Sequence, residues 1–72
     1  MKVYLVGEYS NGYYKLYGIF STSEKAIARF EEIVDGRPFN SLIQYRDYGS
    51  GESLPYVDLW GDVLSVTAEE VE

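Results

Sequence analysis

Residues 10–36 read SNGYYKLYGIFSTSEKAIARFEEIVDG, and three signals inside this stretch decide the fold. Asn11-Gly12 stands between two apolar runs. Both central residues of a tight type I′ hairpin turn need positive φ, and Asn-Gly supplies that at the least cost. Before the turn, Val3, Leu5 and Gly7 alternate with Tyr4, Val6 and Glu8; after it, Tyr14, Leu16, Gly18 and Phe20 alternate with Tyr13, Lys15, Tyr17 and Ile19. A period of two is that of a strand, so two paired strands are expected. Ser21-Thr22-Ser23-Glu24 then has the form of a capping box, with Ser21 at the N-cap and Glu24 reaching back. Ala26, Ile27, Phe30, Ile33 and Val34 follow at helical spacing. Gly36 stands where a left-handed C-terminal residue is wanted, and Pro38 prevents continuation. The expectation is one amphipathic helix of about thirteen residues, a common length.

Outward from this stretch the signals thin. Ser41 to Tyr48 contains Leu42, Ile43 and Tyr45 and reads as a third strand, followed by a turn at Gly49–Ser53. Pro55 to Trp60 reads as a fourth, with Pro55 at its first position or on an edge. Gly61-Asp62 breaks it; Val63 to Val66 is a candidate for one more short strand, and residues 67–72 read as a frayed end. The predicted architecture is α+β: a small antiparallel sheet with one helix packed on one face, in the order β-β-α-β-β. Seventy-two residues make one domain. The unfolded chain exposes ~11,900 Å² and the folded monomer ~4,500 Å² by surface scaling, enough for one thin core.

Gly18, lacking a side chain between Leu16 and Phe20, reads as the place where helix and sheet approach closely. That puts Val3, Leu5, Leu16, Phe20, Ile27, Phe30, Ile33 and Val34 in the core. The opposite hairpin face then carries Tyr4, Val6, Tyr13, Tyr17 and Ile19. One helix covers only one face of a sheet, so either the C-terminal third or a partner covers the other. Tyr4, Tyr13 and Tyr17 are therefore a candidate interface, since tyrosine offers contact area and a polar tip at low entropy cost.

The chain has no Cys and no His. Disulfides, thiolate nucleophiles and zinc-thiolate sites are excluded, as are the commonest general base and the commonest transition-metal ligand. Gly49-Ser50-Gly51 lacks the Gly-Lys-[Ser/Thr] ending of a phosphate loop. The spacing of Asp47, Glu52, Asp58 and Asp62 fits no calcium loop. No cofactor, no metal and no catalytic residue is expected, and the chain does not read as an enzyme. No signal peptide or membrane span is visible, which makes the cytoplasm the expected compartment.

Charge is unevenly placed. Residues 1–46 carry five acids and six bases, while residues 47–72 carry seven acids and no base, so the net charge of −6 belongs to the last third. A field of one sign repels nucleic acid and anionic membrane and attracts basic surfaces. Tyr48, Tyr56 and Trp60 interleave with Asp47, Glu52, Asp58 and Asp62, pairing steering charge with aromatic anchors. These seven residues are the candidate partner-binding set.

The run Gly18-Ile19-Phe20-Ser21-Thr22-Ser23-Glu24-Lys25-Ala26, entered from Val3-Tyr4-Leu5-Val6, resembles the opening of many small phage and bacterial domains in which a hairpin feeds a capped helix. The likeness covers residues 3–34. In size, acidity and lack of catalytic side chains the chain is also similar to phage-encoded inhibitors of host defence, including anti-CRISPR proteins. These share properties rather than a motif, so the resemblance carries over no functional residue; it implies action in a host cytoplasm. The expected function is a non-catalytic inhibitor or adaptor that binds a basic protein surface, one that normally holds nucleic acid being the natural target. The alternative is a structural module that self-associates, as a homodimer, through the tyrosine face of its hairpin.

Overall fold

The computed structural model describes residues 1–36, 43–47, 52–59 and 61–71. Its elements are β1 (Lys2–Ser10), β2 (Tyr13–Phe20), α1 (Ser23–Asp35), β3 (Gln44–Asp47), β4 (Ser53–Leu59) and β5 (Asp62–Glu70). The strands form one antiparallel sheet in the order β2-β1-β5-β4-β3, with α1 packed against β1, β2, β4 and β5. The fold is thus α+β with one helix, but the order is β-β-α-β-β-β. The last strand is not a short addition: β5 runs nine residues and lies between β1 and β4. The expected fraying of 67–72 is corrected as far as Glu70, because Thr67, Ala68, Glu69 and Glu70 pair in register with Leu5, Tyr4, Val3 and Lys2.

The hairpin turn forms as its sequence dictates, with Asn11 at φ 50° and Gly12 at φ 84°. The helix spans its predicted residues, but its N-cap is Thr22, not Ser21. The Thr22 hydroxyl accepts from the Lys25 amide at 3.3 Å. Gly36 ends the helix at φ −82°, outside the left-handed region, and its N–H donates to the Ile33 carbonyl at 3.2 Å. Pro38, Leu42, Tyr48, the Gly49–Gly51 turn and Trp60 lie outside the described residues. Pro55 is the third residue of an inner strand rather than an edge or first position. The ladder from β4 to β5 begins at Tyr56, so the missing proline N–H lies just beyond it. Leu54 and Val57, three residues apart, both enter the buried cluster, so strict alternation slips at this proline.

The core consists of Tyr4, Val6, Ala26, Phe30, Val34, Leu54, Val57, Leu64 and Val66. Phe30 is fully buried on the helix, and Tyr17, Phe20, Ile33, Ile43 and Ala68 pack around the cluster. On β1 the two faces are therefore the reverse of the expectation: Tyr4 and Val6 face the helix, Val3 and Leu5 do not. The cause is a register shift. Val6 pairs with Gly18, but Gly7 pairs with Leu16, leaving Tyr17 as the extra residue of a β-bulge. Past the bulge the parity of β2 changes, and Leu16 leaves the helix side. The space over Gly18 is filled by the Phe20 ring, which a Cβ there would meet at 2.8 Å, so this glycine seats an aromatic ring.

Candidate interaction surface

Residues opposite one another in an antiparallel ladder share a face. The helix side takes Tyr4, Val6 and Glu8 of β1 with Ala68, Val66 and Leu64 of β5. The other side takes Leu5 opposite Ile19 and Thr67, Gly7 opposite Leu16 and Ser65, and Tyr9 opposite Tyr14 and Val63. Among the described residues no element covers this second side. Ile19 is 59% exposed, Tyr9 58%, Leu16 47% and Tyr14 43%. Strands normally keep such side chains inside, and large contiguous apolar patches are uncommon on monomeric domains, which makes this face the candidate surface.

Tyr14 organises the patch. Its ring lies across Gly7 of the neighbouring strand, where any Cβ would collide with its hydroxyl end. It also meets the Tyr9 ring at 4.8 Å between centroids, tilted by 57°. Partial burial, then the negative potential of Tyr9 and Glu69, pushes the Tyr14 phenol up from its usual value. Toward β3 the same face becomes polar. Tyr56 donates to Gln44 Oε1 at 2.6 Å, and the Arg46 guanidinium lies 4.8 Å above the Tyr56 ring.

The candidate residues from the sequence are divided between the two faces. Tyr4 is buried, only 6% exposed. Its hydroxyl donates to both carboxylate oxygens of Glu52, at 2.7 and 2.9 Å, and Lys2 Nζ stands 3.6 Å from the same carboxylate. The hydrogen bond to Glu52, then desolvation, raises the Tyr4 pKa. Tyr17 packs against the core, and its hydroxyl donates to Glu8 Oε1 at 2.7 Å. Lys15 Nζ lies 5.0 Å from the Tyr17 ring centre. Tyr13 alone of the three is fully outward, at 78%. The predicted face of Tyr4, Tyr13 and Tyr17 is therefore not one exposed patch: two of its members are internal props that each hold a carboxylate.

In the acidic set, Glu52 is engaged on the helix side as just described. Asp47 is exposed at the end of β3, opposite Ser53. Asp58 is exposed, and its Oδ1 accepts from Gly61 N–H at 3.4 Å, closing a turn in which Gly61 adopts φ 95°. Asp62 begins β5 opposite Leu59. Tyr48 and Trp60 lie outside the described residues. Asp58 and Asp62 thus share one turn, while Tyr56 shares the open face with the apolar patch.

What the sequence reading missed is Leu5, Leu16, Tyr9 and Tyr14 as surface. Leu5 and Leu16 were given to the core and Tyr9 and Tyr14 to no site. The available signal was Gly7, an otherwise unexplained glycine inside a strand with a tyrosine across the turn to lie on it.

By strand, β1 and β2 carry Lys2, Glu8 and Lys15, while β3, β4 and β5 carry Arg46 against Asp47, Asp58, Asp62, Glu69 and Glu70. The sheet is polarised, near neutral at the β2 edge and acidic toward β4 and β5. Among the described residues, no three His, Cys, Asp or Glu side chains gather closely enough to hold a metal ion. No helix among them is long and apolar enough to cross a membrane. No known protein family, no curated protein and no solved structure matches the chain.

Proposed function

We propose that this protein is a non-catalytic binding module, an inhibitor or adaptor, that docks its open sheet face on a basic protein surface. One observation carries the reading: a five-stranded sheet has its helix on one side, and the other side exposes Ile19, Leu16, Tyr9 and Tyr14 beside an acidic half. Apolar side chains supply the affinity in such an interface, and the acids set orientation and association rate. The complementary partner presents apolar side chains among Lys and Arg, the make-up of surfaces that grip nucleic acid. The partner-binding set proposed from sequence is thereby amended. Asp58 and Tyr56 remain in it. Glu52 leaves it, as does Asp62, which alternates with Val63 and so shares the helix side with Leu64; Leu5, Tyr9, Tyr14, Leu16 and Ile19 join it.

The test uses the immobilised protein to capture binding proteins from cell lysate, with Thr67→Arg as the paired control. Thr67 lies on the open face beside Leu5, half-buried, and pairs in the middle of the β1–β5 ladder. Arg there places a long positive side chain in the docking surface while the helix-side core is untouched. Wild type should retain a basic protein that Thr67→Arg does not, and retention should weaken with salt. Equal capture by both forms would refute the open face as the site.

A further inference from the structure

We infer that β2 pairs along its outer edge with β2 of a second copy, joining two sheets into one. The inference concerns the edge that β2 turns away from β1, on which no strand lies among the described residues, rather than the open face, and it does not depend on the foreign-partner reading. The sheet has two edges, and they differ. β3 is four residues long and carries Arg46 and Asp47, the short, charged form in which natural edges resist pairing. β2 is eight residues long, has one charge, Lys15, and exposes Tyr13, Tyr14, Leu16 and Ile19. Half of the large hydrophobic side chains exposed among the described residues sit on this single strand.

Net charge is the obvious objection, since each copy carries −6. The sheet order answers it. Joining at β2 leaves five strand spacings between one β5 and the other, about 24 Å at ~4.8 Å each. That is well beyond the ~8 Å screening length at physiological salt, so the strand acids of the two copies scarcely interact. Within the sheet, a second copy meets first the hairpin, whose strands carry Lys2, Glu8 and Lys15 and are near neutral.

Geometry also selects the register. Opposite residues share a face, so a two-fold axis normal to the sheet passes through a residue, not between two. The bulge at Tyr17 confines a regular ladder to Tyr13–Leu16. An axis through Lys15 opposes two ammonium groups, and one through Leu16 sets Lys15 against the bulge. An axis through Tyr14 sets Tyr13 opposite Lys15 on both sides. The Tyr14 ring is no obstacle, because it lies inward across Gly7.

The experiment is light scattering on wild type, Tyr13→Lys and Tyr13→Glu over a concentration series reaching the millimolar range. Tyr13 is exposed enough that both variants keep the fold, which circular dichroism verifies. Wild type should dimerise. Tyr13→Lys sets like charges opposite one another twice per dimer and should weaken it about tenfold or more. Tyr13→Glu gives each Lys15 an opposite charge and should hold the dimer at least as tightly as wild type. A wild type that stays monomeric throughout overturns the inference. So does a dimer that the two variants affect alike, because it must then be held by another surface.

Discussion

Gly7→Ala tests the architecture of the open face with a single methyl group. Gly7 does not adopt positive φ, so its backbone accepts alanine, and relief of glycine's conformational entropy favours the substitution by about 0.5–1 kcal/mol. The new methyl group occupies the seat of the Tyr14 ring. Tyr14 is 43% exposed, so more than half of its surface is covered in the native state. For a side chain of roughly 200 Å² this is about 110 Å², or ~3 kcal/mol at about 25 cal/mol per Å² as an upper bound. Displacing the ring forfeits half to all of that, about 1.5–3 kcal/mol, for a net destabilisation of about 0.5–2.5 kcal/mol. Tyr14→Ala alone should cost about 2–3 kcal/mol. The two changes must be strongly coupled, because once the ring is absent the methyl group meets no obstacle and only the entropic gain remains. Urea unfolding of both single variants and the double variant should show a double-variant loss about 2 kcal/mol smaller than the sum. The phenol should also report the move, its raised pKa falling back toward 10.0 in Gly7→Ala, as followed by NMR. Additive losses, or an unshifted Tyr14 titration, would show that the ring does not lie on Gly7.

Phe30→Ala removes a fully buried aromatic from the helix stripe and should cost about 3–5 kcal/mol, enough in a domain of this size to unfold it at room temperature; a thermal melt within a few degrees of wild type would contradict the core described above. Tyr17→Glu puts a second carboxylate beside Glu8 and should destabilise by about 2 kcal/mol or more at neutral pH, with partial recovery in acid as one carboxyl protonates; urea titrations at pH 7 and pH 4 compare the two. Tyr4 has a folded pKa raised above its usual 10.0, so its contribution is fully present below about pH 10 and is lost as pH rises through the folded value. Alkaline unfolding of Tyr4→Phe, which cannot ionise, should therefore be shallower than that of wild type above pH 10.

Local chemistry was legible wherever one residue type solves one backbone problem. Asn11-Gly12 announced its turn because few other pairs tolerate two successive positive φ values, and the stripe from Ala26 to Val34 announced a helix with one buried side. The faces of β1 were not legible, because Val3-Tyr4-Leu5-Val6 is apolar at both parities and alternation alone cannot choose between them. Gly18 pushed the reading the wrong way, because reading it as the point of close helix approach put Leu16, Leu5 and Val3 on the helix side with it. Glu8 on the helix side is accounted for by Tyr17, which bonds it from across the ladder, and the bulge that brings Tyr17 there is one extra residue without a motif of its own. The end of β5 was missed for a related reason: Ala68-Glu69-Glu70 has little strand propensity, and its order comes from pairing with residues at the far end of the chain. The site inherited these errors. Acidic and aromatic residues close in sequence were grouped as one surface, whereas alternate residues of a strand belong to opposite faces.

The central pairing of β1 with β5 also governs how the molecule can come together. Its partners lie between 54 residues apart, at Tyr9 and Val63, and 68 apart, at Lys2 and Glu70. The β1–β2, β3–β4 and β4–β5 pairs and the helix form from neighbours in the chain; the strand pairs lie to one side of that seam or the other, and the helix packs across it. Closing so long a loop must be met before most of the buried contacts reward it, which favours slow folding for the chain's size. The hairpin and helix up to Asp35 therefore have no stable stopping point of their own: until β5 docks, Tyr4 and Val6 face a half-built wall. A nick or stop anywhere between Gly36 and Gly61 should leave a fragment for proteolysis to clear, which makes the molecule all-or-none in supply as well as in structure.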